Sequence, residues 1–232
     1  TKRYSLLING KYAYDYTRFL APDTALLYID NHYRQYETYL SIANQYTITN
    51  WWSAGLSGDF QWNRLDADLV NFSYPSRYTT LAAAATAIYL KRFSAQASVL
   101  GTFVTEEVKK NLAASPQRRY TPSVFISWQP FPAPAFRLRS FYKRIFRMPT
   151  FNDLYYTDIG NTQLKPEYAT QYDAGFTWNK KFTDKRVQEA GVEIDAYYNE
   201  VENKIVAVPG KSQFRWSMQN LGFVKIKGID VK

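Results

Sequence analysis

Residues 52–63 read Trp52-Ser53-Ala54-Gly55-Leu56-Ser57-Gly58-Asp59-Phe60-Gln61-Trp62-Asn63. Successive side chains of an extended strand point to opposite faces. Trp52, Ala54, Leu56, Gly58, Phe60 and Trp62 therefore share one face, and the polar residues and Gly55 between them share the other. The two tryptophans stand about 33 Å apart along an extended chain. Tilted by about 40°, such a strand has a height of about 25 Å, which is the apolar band of a membrane β-barrel between its aromatic girdles.

The same register recurs along the chain. Tyr4, Leu6, Ile8, Gly10, Tyr12 and Tyr14 form one row, and Leu40, Ile42, Asn44, Tyr46 and Ile48 another. Phe93, Ala95, Ala97, Val99, Gly101 and Phe103 follow, then Val124, Ile126 and Trp128. Tyr172, Ala174, Phe176 and Trp178 make a further row, as do Val192, Ile194, Ala196 and Tyr198. None of these rows contains a charge, and a Lys or Arg facing lipid near the midplane costs about 2–4 kcal/mol. A soluble β-sandwich also alternates core and solvent, but its core is fed mainly by aliphatic residues. These rows carry Tyr and Trp at their ends and small residues in their middles, which favours a barrel wall.

Composition agrees. Aromatic residues make up 18% of the 232-residue chain, with 20 Tyr, as membrane-interface belts require. No stretch approaches the roughly 20 apolar residues of a membrane helix. The Ala-rich segment Leu81–Leu90 is short and interrupted by Thr86; helix propensity competes there with strand-like flanks. The net charge of +9 is assigned mainly to turns, connections and an inward row of Arg137, Arg139 and Lys143; it reads first as solvated loop charge, and as an attraction for anionic ligands or lipopolysaccharide second. Basic residues do not cluster on a helix, so no nucleic-acid partner is expected. One His and no Cys leave no catalytic constellation, metal site or cofactor to propose.

The pattern predicts about eleven strands: 4–16, 37–49, 51–63, 79–90, 93–105, 120–129, 135–146, 167–180, 188–201, 212–220 and 223–232. Thr49-Asn50, Lys91-Arg92 and Pro130–Pro134 read as tight turns, and 17–36, 64–78, 106–119 and 147–166 as long loops. This alternation of short turns with long outer loops is that of an antiparallel up-and-down transmembrane barrel. The chain opens at Thr1-Lys2-Arg3 with no secretory signal, as expected of a mature or excised piece.

One block is more specific. Arg147-Met148-Pro149 leads to Leu154-Tyr155-Tyr156, then to Gly160-Asn161, Leu164-Lys165-Pro166-Glu167 and Tyr172-Asp173-Ala174-Gly175. It resembles the corresponding block in the barrels of TonB-dependent outer-membrane receptors. Tyr197-Tyr198-Asn199 and Ile205 resemble that family's following strand, and Asn220-Leu221-Gly222 with Gly228-Ile229-Asp230 its hairpin. The residues themselves read as loop architecture. Pro149 and Pro166 mark where strands stop and restart. Gly160-Asn161 suits a turn at positive φ, and Glu167 suits loop amides or a pair with Arg147.

The resemblance implies a barrel of about 22 strands with an N-terminal plug, of which 1–232 would be a single partial all-β domain, about half a barrel. The plug, the TonB box and the barrel C-terminus are expected outside it. It implies a Gram-negative outer-membrane location and energised uptake of a scarce nutrient chelate (siderophore, haem or cobalamin). The expected partners are outer-membrane lipid and lipopolysaccharide, the plug of the parent chain, the TonB complex acting through that plug, and the chelate. Candidates for the ligand bowl are the loop residues His32, Tyr33, Tyr36, Tyr74, Arg77, Tyr155, Tyr156 and Asp158. A passive porin and a soluble β-rich binding module are the competing functions; a porin would lack a plug, and a soluble module would stay monomeric without detergent.

Overall fold

The computed structural model describes residues 3–21, 29–132, 135–156, 160–182, 188–209 and 216–232. Ten strands follow one another: β1 (Tyr4–Ala21), β2 (Ile29–Thr49), β3 (Trp52–Ala67), β4 (Ser76–Tyr89), β5 (Phe93–Glu107), β6 (Gln117–Trp128), β7 (Phe136–Arg147), β8 (Glu167–Lys181), β9 (Glu189–Pro209) and β10 (Trp216–Val231). A short helix, α1 (Phe151–Tyr155), interrupts the β7–β8 connection. The strands form one antiparallel sheet in sequence order. Among the described residues β1 pairs only with β2 and β10 only with β9, so the sheet is an open, unclosed wall.

Register carries the apolar rows across the sheet. Ile8, Ile42, Gly58, Ala82, Gly101 and Tyr120 lie side by side on successive strands, as do Leu6, Asn44, Leu56, Ala84 and Val99. Further on, Tyr142, Tyr172 and Tyr198 continue the same face with ring spacings of 5.2 and 6.2 Å. Leu56 is 65% and Ile8 59% exposed, so among the described residues no second layer covers this face. The sandwich reading fails on that point. The Ala-rich segment is strand because β3 and β5 both hydrogen-bond it, and tertiary pairing overrides local propensity.

Two expectations change. The segments 212–220 and 223–232 are not separate strands: Leu221 pairs with Lys204 and Phe223 with Glu202, so β10 runs through Gly222 (residues 212–215 lie outside the described ones). The Asn220-Leu221-Gly222 stretch is therefore mid-strand rather than a hairpin turn. The irregularity sits on the partner strand, where Asn203 takes φ 54°. A Cβ at Gly222 would meet nothing within 4 Å, so space does not demand glycine there. Second, strands outrun their expected ends: the first long loop is shorter than 17–36, because β1 and β2 stay paired to Ala21↔Ile29, and the strand expected over 188–201 continues to Pro209, paired with Trp216 of β10. Main-chain pairing continues after the apolar alternation has ended, since the ladder is indifferent to side-chain polarity.

Short connections at 50–51 and 90–92 alternate with longer ones at 68–75, 108–116 and 148–166. The buried core lies at the end of the longer ones. Leu65, Ala67, Phe72, Ala114, Phe151, Leu154, Tyr155, Leu164 and Ile205 form it, and Tyr33, Tyr74, Met148 and Met218 pack against it. The loops thus fold onto the wall and make a cap.

Candidate functional site

The cap is organised by Arg77 on β4 and Glu106 on β5, paired across the ladder. The Arg77 guanidinium donates to Glu106 Oε1 at 2.6 Å and to the Pro149 carbonyl at 2.7 Å, and lies 4.8 Å from the Phe151 ring centre. The Tyr155 hydroxyl donates to Glu106 Oε2 and accepts from the Ala114 amide at 3.1 Å. Burial and the Glu106 carboxylate hold the Tyr155 proton well above the usual phenol range. Helix α1 delivers Leu154 and Tyr155 to this network. Its N-terminus closes with a reciprocal cap in which Asp153 N–H donates to Thr150 Oγ1 at 3.2 Å and Thr150 N–H to Asp153 Oδ2 at 2.8 Å.

The second half of the family block forms a clamp. Arg147 Nε reaches Glu167 Oε2 at 2.7 Å, the pairing that the sequence suggested, while Glu167 Oε1 accepts from the Ile205 amide. Asn220 behaves like a peptide group towards Lys165. Its Oδ1 accepts from Lys165 N–H at 2.8 Å, and its Nδ2 donates to the Lys165 carbonyl at 2.9 Å and the Asn203 carbonyl at 2.8 Å. Asn161 Nδ2 adds a bond to the Met218 carbonyl at 3.1 Å. Pro149, Leu154, Leu164, Pro166 and Glu167 are all buried. Gly160 needs no positive φ; a Cβ there would stand 2.7 Å from the backbone N and O of Tyr156, so close approach is what selects glycine.

The eight candidate ligand residues separate into groups. Arg77 and Tyr155 are committed to the network above. Tyr33 and Tyr156 are half-buried and stack at 6.5 Å with planes 15° apart, on the inward side of the wall where Tyr33 pairs with Ala67. The Tyr33 hydroxyl has no hydrogen-bond partner among the described residues, and burial with Tyr156 nearby pushes it up to about 12. Tyr74, at φ 51°, meets Phe72 edge-on at 5.3 Å and carries Lys109 Nζ 5.5 Å from its ring centre.

His32 and Tyr36 stand on the opposite, outward face, because alternation from Tyr33 and pairing with Arg18 and Tyr14 put them there. Tyr36 packs on Tyr14 at 5.2 Å. His32 Nδ1 faces Asp68 at 3.0 Å and Nε2 faces Asp30 at 3.3 Å. Asp30 also receives Arg18, whose hydrogen bond holds its carboxyl below the usual range. Asp158 lies outside the described residues. Among the described residues no group of three or more His, Asp or Glu is placed to hold a metal ion.

On the inward wall the Arg137, Arg139 and Lys143 row is not simply basic. Arg139 reaches across β8 to Asp195 on β9, at 2.9 Å from Nε, and also bonds Glu193 and Thr177. Gly175 lies between them in the register, paired to both Arg139 and Asp195. A Cβ at Gly175 would overlap the Asp195 carboxylate, and one at Gly228 would overlap the Tyr197 hydroxyl. Gly175 and Gly228 are thus windows through which neighbouring side chains pass. Only the three-strand register reveals this.

The family model described as "TonB dependent receptor-like, beta-barrel" matches residues 1–232. The vitamin B12 transporter BtuB of Vibrio vulnificus (strain CMCP6) is 26% identical over 195 residues, covering 84% of this chain and 29% of that protein. BtuB of strain YJ016 is 34% identical over 87 residues, covering 38% of this chain and 13% of its own length. Among solved structures, the FrpB iron transporter of Neisseria meningitidis (F5-1 variant, apoprotein form) superposes with a TM-score of 0.72 at 12% identity, over 97% of this chain and 38% of that one. The copper transporter OprC gives 0.72 at 14% identity, over 98% and 40%. These two structures speak for fold alone. The chain spans under a third of the BtuB relatives' length. It belongs to the TonB-dependent receptor family, as β-barrel wall of these Gram-negative outer-membrane proteins.

Proposed function

We propose that this chain is wall and cap of a receptor that takes up a scarce nutrient chelate (cobalamin, a ferric siderophore or haem) across the outer membrane, driven by TonB through a plug in the parent protein. The observation that carries it is the match of the receptor-barrel family over the whole of 1–232. The outward rows would face lipid. The ligand bowl would be built from Tyr33, Tyr74 and Tyr156, whose rings offer flat apolar area and a polar edge to a bulky conjugated ligand. Arg77 and Tyr155 would hold that bowl in shape rather than touch the ligand. The BtuB relatives favour cobalamin as the first ligand to try.

The test is uptake of labelled cobalamin, ferric siderophores and haem by cells carrying the full-length receptor, with and without functional TonB. Uptake of one chelate that needs TonB, and falls at least tenfold in Tyr33→Ala/Tyr156→Ala, is the expected result. Uptake independent of TonB would make the protein a passive porin.

A further inference from the structure

The β2–β3 ladder ends at Tyr33↔Ala67, and the 68–75 connection begins at the next residue. His32 ties that beginning back to β2. Its N–H donates to Asp68 Oδ1 at 2.8 Å, and Asp68 N–H donates to the His32 carbonyl at 3.3 Å. The ring adds a carboxylate at each nitrogen: Nδ1 stands 3.0 Å from Asp68 Oδ2, and Nε2 stands 3.3 Å from Asp30 Oδ1. The side chain is 32% exposed, so protons from solvent reach it.

An ionised carboxylate only accepts hydrogen bonds, and a neutral imidazole has a single N–H. In the neutral ring one nitrogen would therefore turn a lone pair towards a carboxylate oxygen. Turning the ring over would lose both contacts. Only the imidazolium, a donor at both nitrogens, satisfies this arrangement.

The surrounding charges leave that role to His32. Arg18, its cross-strand partner on β1, grips Asp30 through two donors at 2.6 and 2.7 Å, and these bonds hold the Asp30 carboxyl below the usual range. Asp30 is therefore anchored to the ladder and stays charged while imidazole titrates. On β3, Asp66 takes Arg64 at 3.0 Å and lies opposite Arg34 of β2. The Tyr16 ring of β1 lies 5.9 Å from that of His32. Arg34, Arg64 and Lys109 line the cavity beside Asp68, yet among the described residues no Lys or Arg comes within ion-pair distance of it. The cation that answers Asp68 is His32.

We propose that His32 is a pH-sensitive clasp. As imidazolium it holds the start of the 68–75 connection to the Arg18–Asp30 pair of the wall, and on losing its proton it releases residues 68–71. The far end stays anchored by Phe72, which is 2% exposed, and by the Ser73 carbonyl, which accepts from Lys109 N–H at 2.9 Å. The clasp is thus closed on the acid side and opens as pH rises through the range of imidazole, about pH 5 to 8. Tyr33 is the next residue of β2, so opening frays the ladder at the ring that stacks on Tyr156. Regulation of the ligand bowl by this route rests on the proposed function; the clasp itself does not, and its test uses no ligand.

The full-length receptor in non-ionic detergent carries a nitroxide introduced through Val70→Cys, at a position 83% exposed. Its spectrum is recorded at about pH 5.5 and about pH 8. The expected result is a mobile fraction that rises roughly threefold with pH, along a one-proton curve. In His32→Gln, which carries no charge at either pH, the mobile fraction should be the same at both. Equal mobility of the native sequence at the two pH values overturns the proposal, and so does an undiminished response in His32→Gln. Should His32→Gln fail to fold, Asp68→Asn keeps an oxygen for the His32 amide and removes the charge. It is expected to lose the response in the same way, and a retained response overturns the proposal equally.

Discussion

The wall and the cap hold together by different means. In the wall, the ladder carries the structure, and the outward side chains are left open, as Leu56 at 65% exposure illustrates. In the cap, buried polar side chains take over from the ladder: Glu106 serves Arg77 and Tyr155, Glu167 serves Arg147 and the Ile205 amide, and Asn220 stands in for a backbone partner of Lys165. An outward side chain in the wall can be exchanged for another of like polarity, because nothing among the described residues packs over it. A cap residue cannot, because its donors and acceptors are matched to particular buried groups. Hence the family block concentrates in residues 147–175, where chemistry is specified atom by atom.

The largest expected effect sits in the cap. Glu106→Ala leaves the Arg77 guanidinium almost buried beside an orphaned Tyr155 hydroxyl. Removing one partner of a buried pair costs about 3–5 kcal/mol. In the detergent-solubilised full-length receptor it should lower the urea midpoint well below wild type and open the 148–166 connection to proteolysis. Glu107→Ala, one residue along and exposed, should change the midpoint little. Similar effects for the two would end the contrast between cap and wall.

The wall has its own exception, and it ranks second. Gly175→Ala puts a methyl group into the path of the Arg139–Asp195 bridge, and forced overpacking costs about 1–3 kcal/mol. Asp195→Gly removes the obstacle together with the bridge. The double variant should therefore lose less than the sum of the single losses, and the cycle measured by urea unfolding shows it. Strict additivity would mean that Gly175 is not a window for Arg139.

How far each region can be read from sequence follows from the same difference. The wall is visible because a strand's two faces repeat every second residue: all the outward rows from Tyr4 to Tyr198 fall on one side of the sheet. Its limits are less visible. Past the apolar rows the side-chain pattern no longer marks the strand, so β1 and β2 extend past the expected ends, and Gly222 reads as a turn although β10 passes through it. In the cap, Arg147 and Glu167 flank one loop and their pairing could be suggested from the block itself. Arg77, Glu106 and Tyr155 meet across separations of 29 and 49 residues, which no local pattern encodes. His32 and Tyr36 lie close to Tyr33 in sequence, yet alternation puts them on the opposite face of the sheet.

A smaller effect sharpens the view of Asn220 as a substitute peptide. Asn220→Ala removes its bonds to Lys165 and Asn203 and should cost about 1–2 kcal/mol, with faster hydrogen exchange at the Lys165 amide. Asn220→Asp keeps the acceptor for Lys165 N–H but turns an oxygen towards the Lys165 and Asn203 carbonyls. It should be worse than alanine although it is nearer in shape. An aspartate as stable as the native residue would show that the carbonyl contacts contribute nothing.

The smallest effect comes from Tyr33, where cap and candidate bowl meet. Its hydroxyl is held up to about 12 by burial and the neighbouring Tyr156, whereas a tyrosine of the unfolded chain ionises near about 10. Below that lower value both states keep the proton and stability does not depend on this group. Between the two values the unfolded chain has released its proton and the folded one has not, so stability falls as pH rises through the interval. Tyr155 is pushed up as well and adds to the same decline at its alkaline end. Tyr33→Phe should therefore make the urea midpoint fall less steeply across that interval and leave it unchanged at neutral pH. Near-ultraviolet titration should show one late-ionising tyrosine fewer. An unaltered alkaline slope would place Tyr33 in open solvent, and the stack with Tyr156 would then be a surface contact rather than the floor of a bowl.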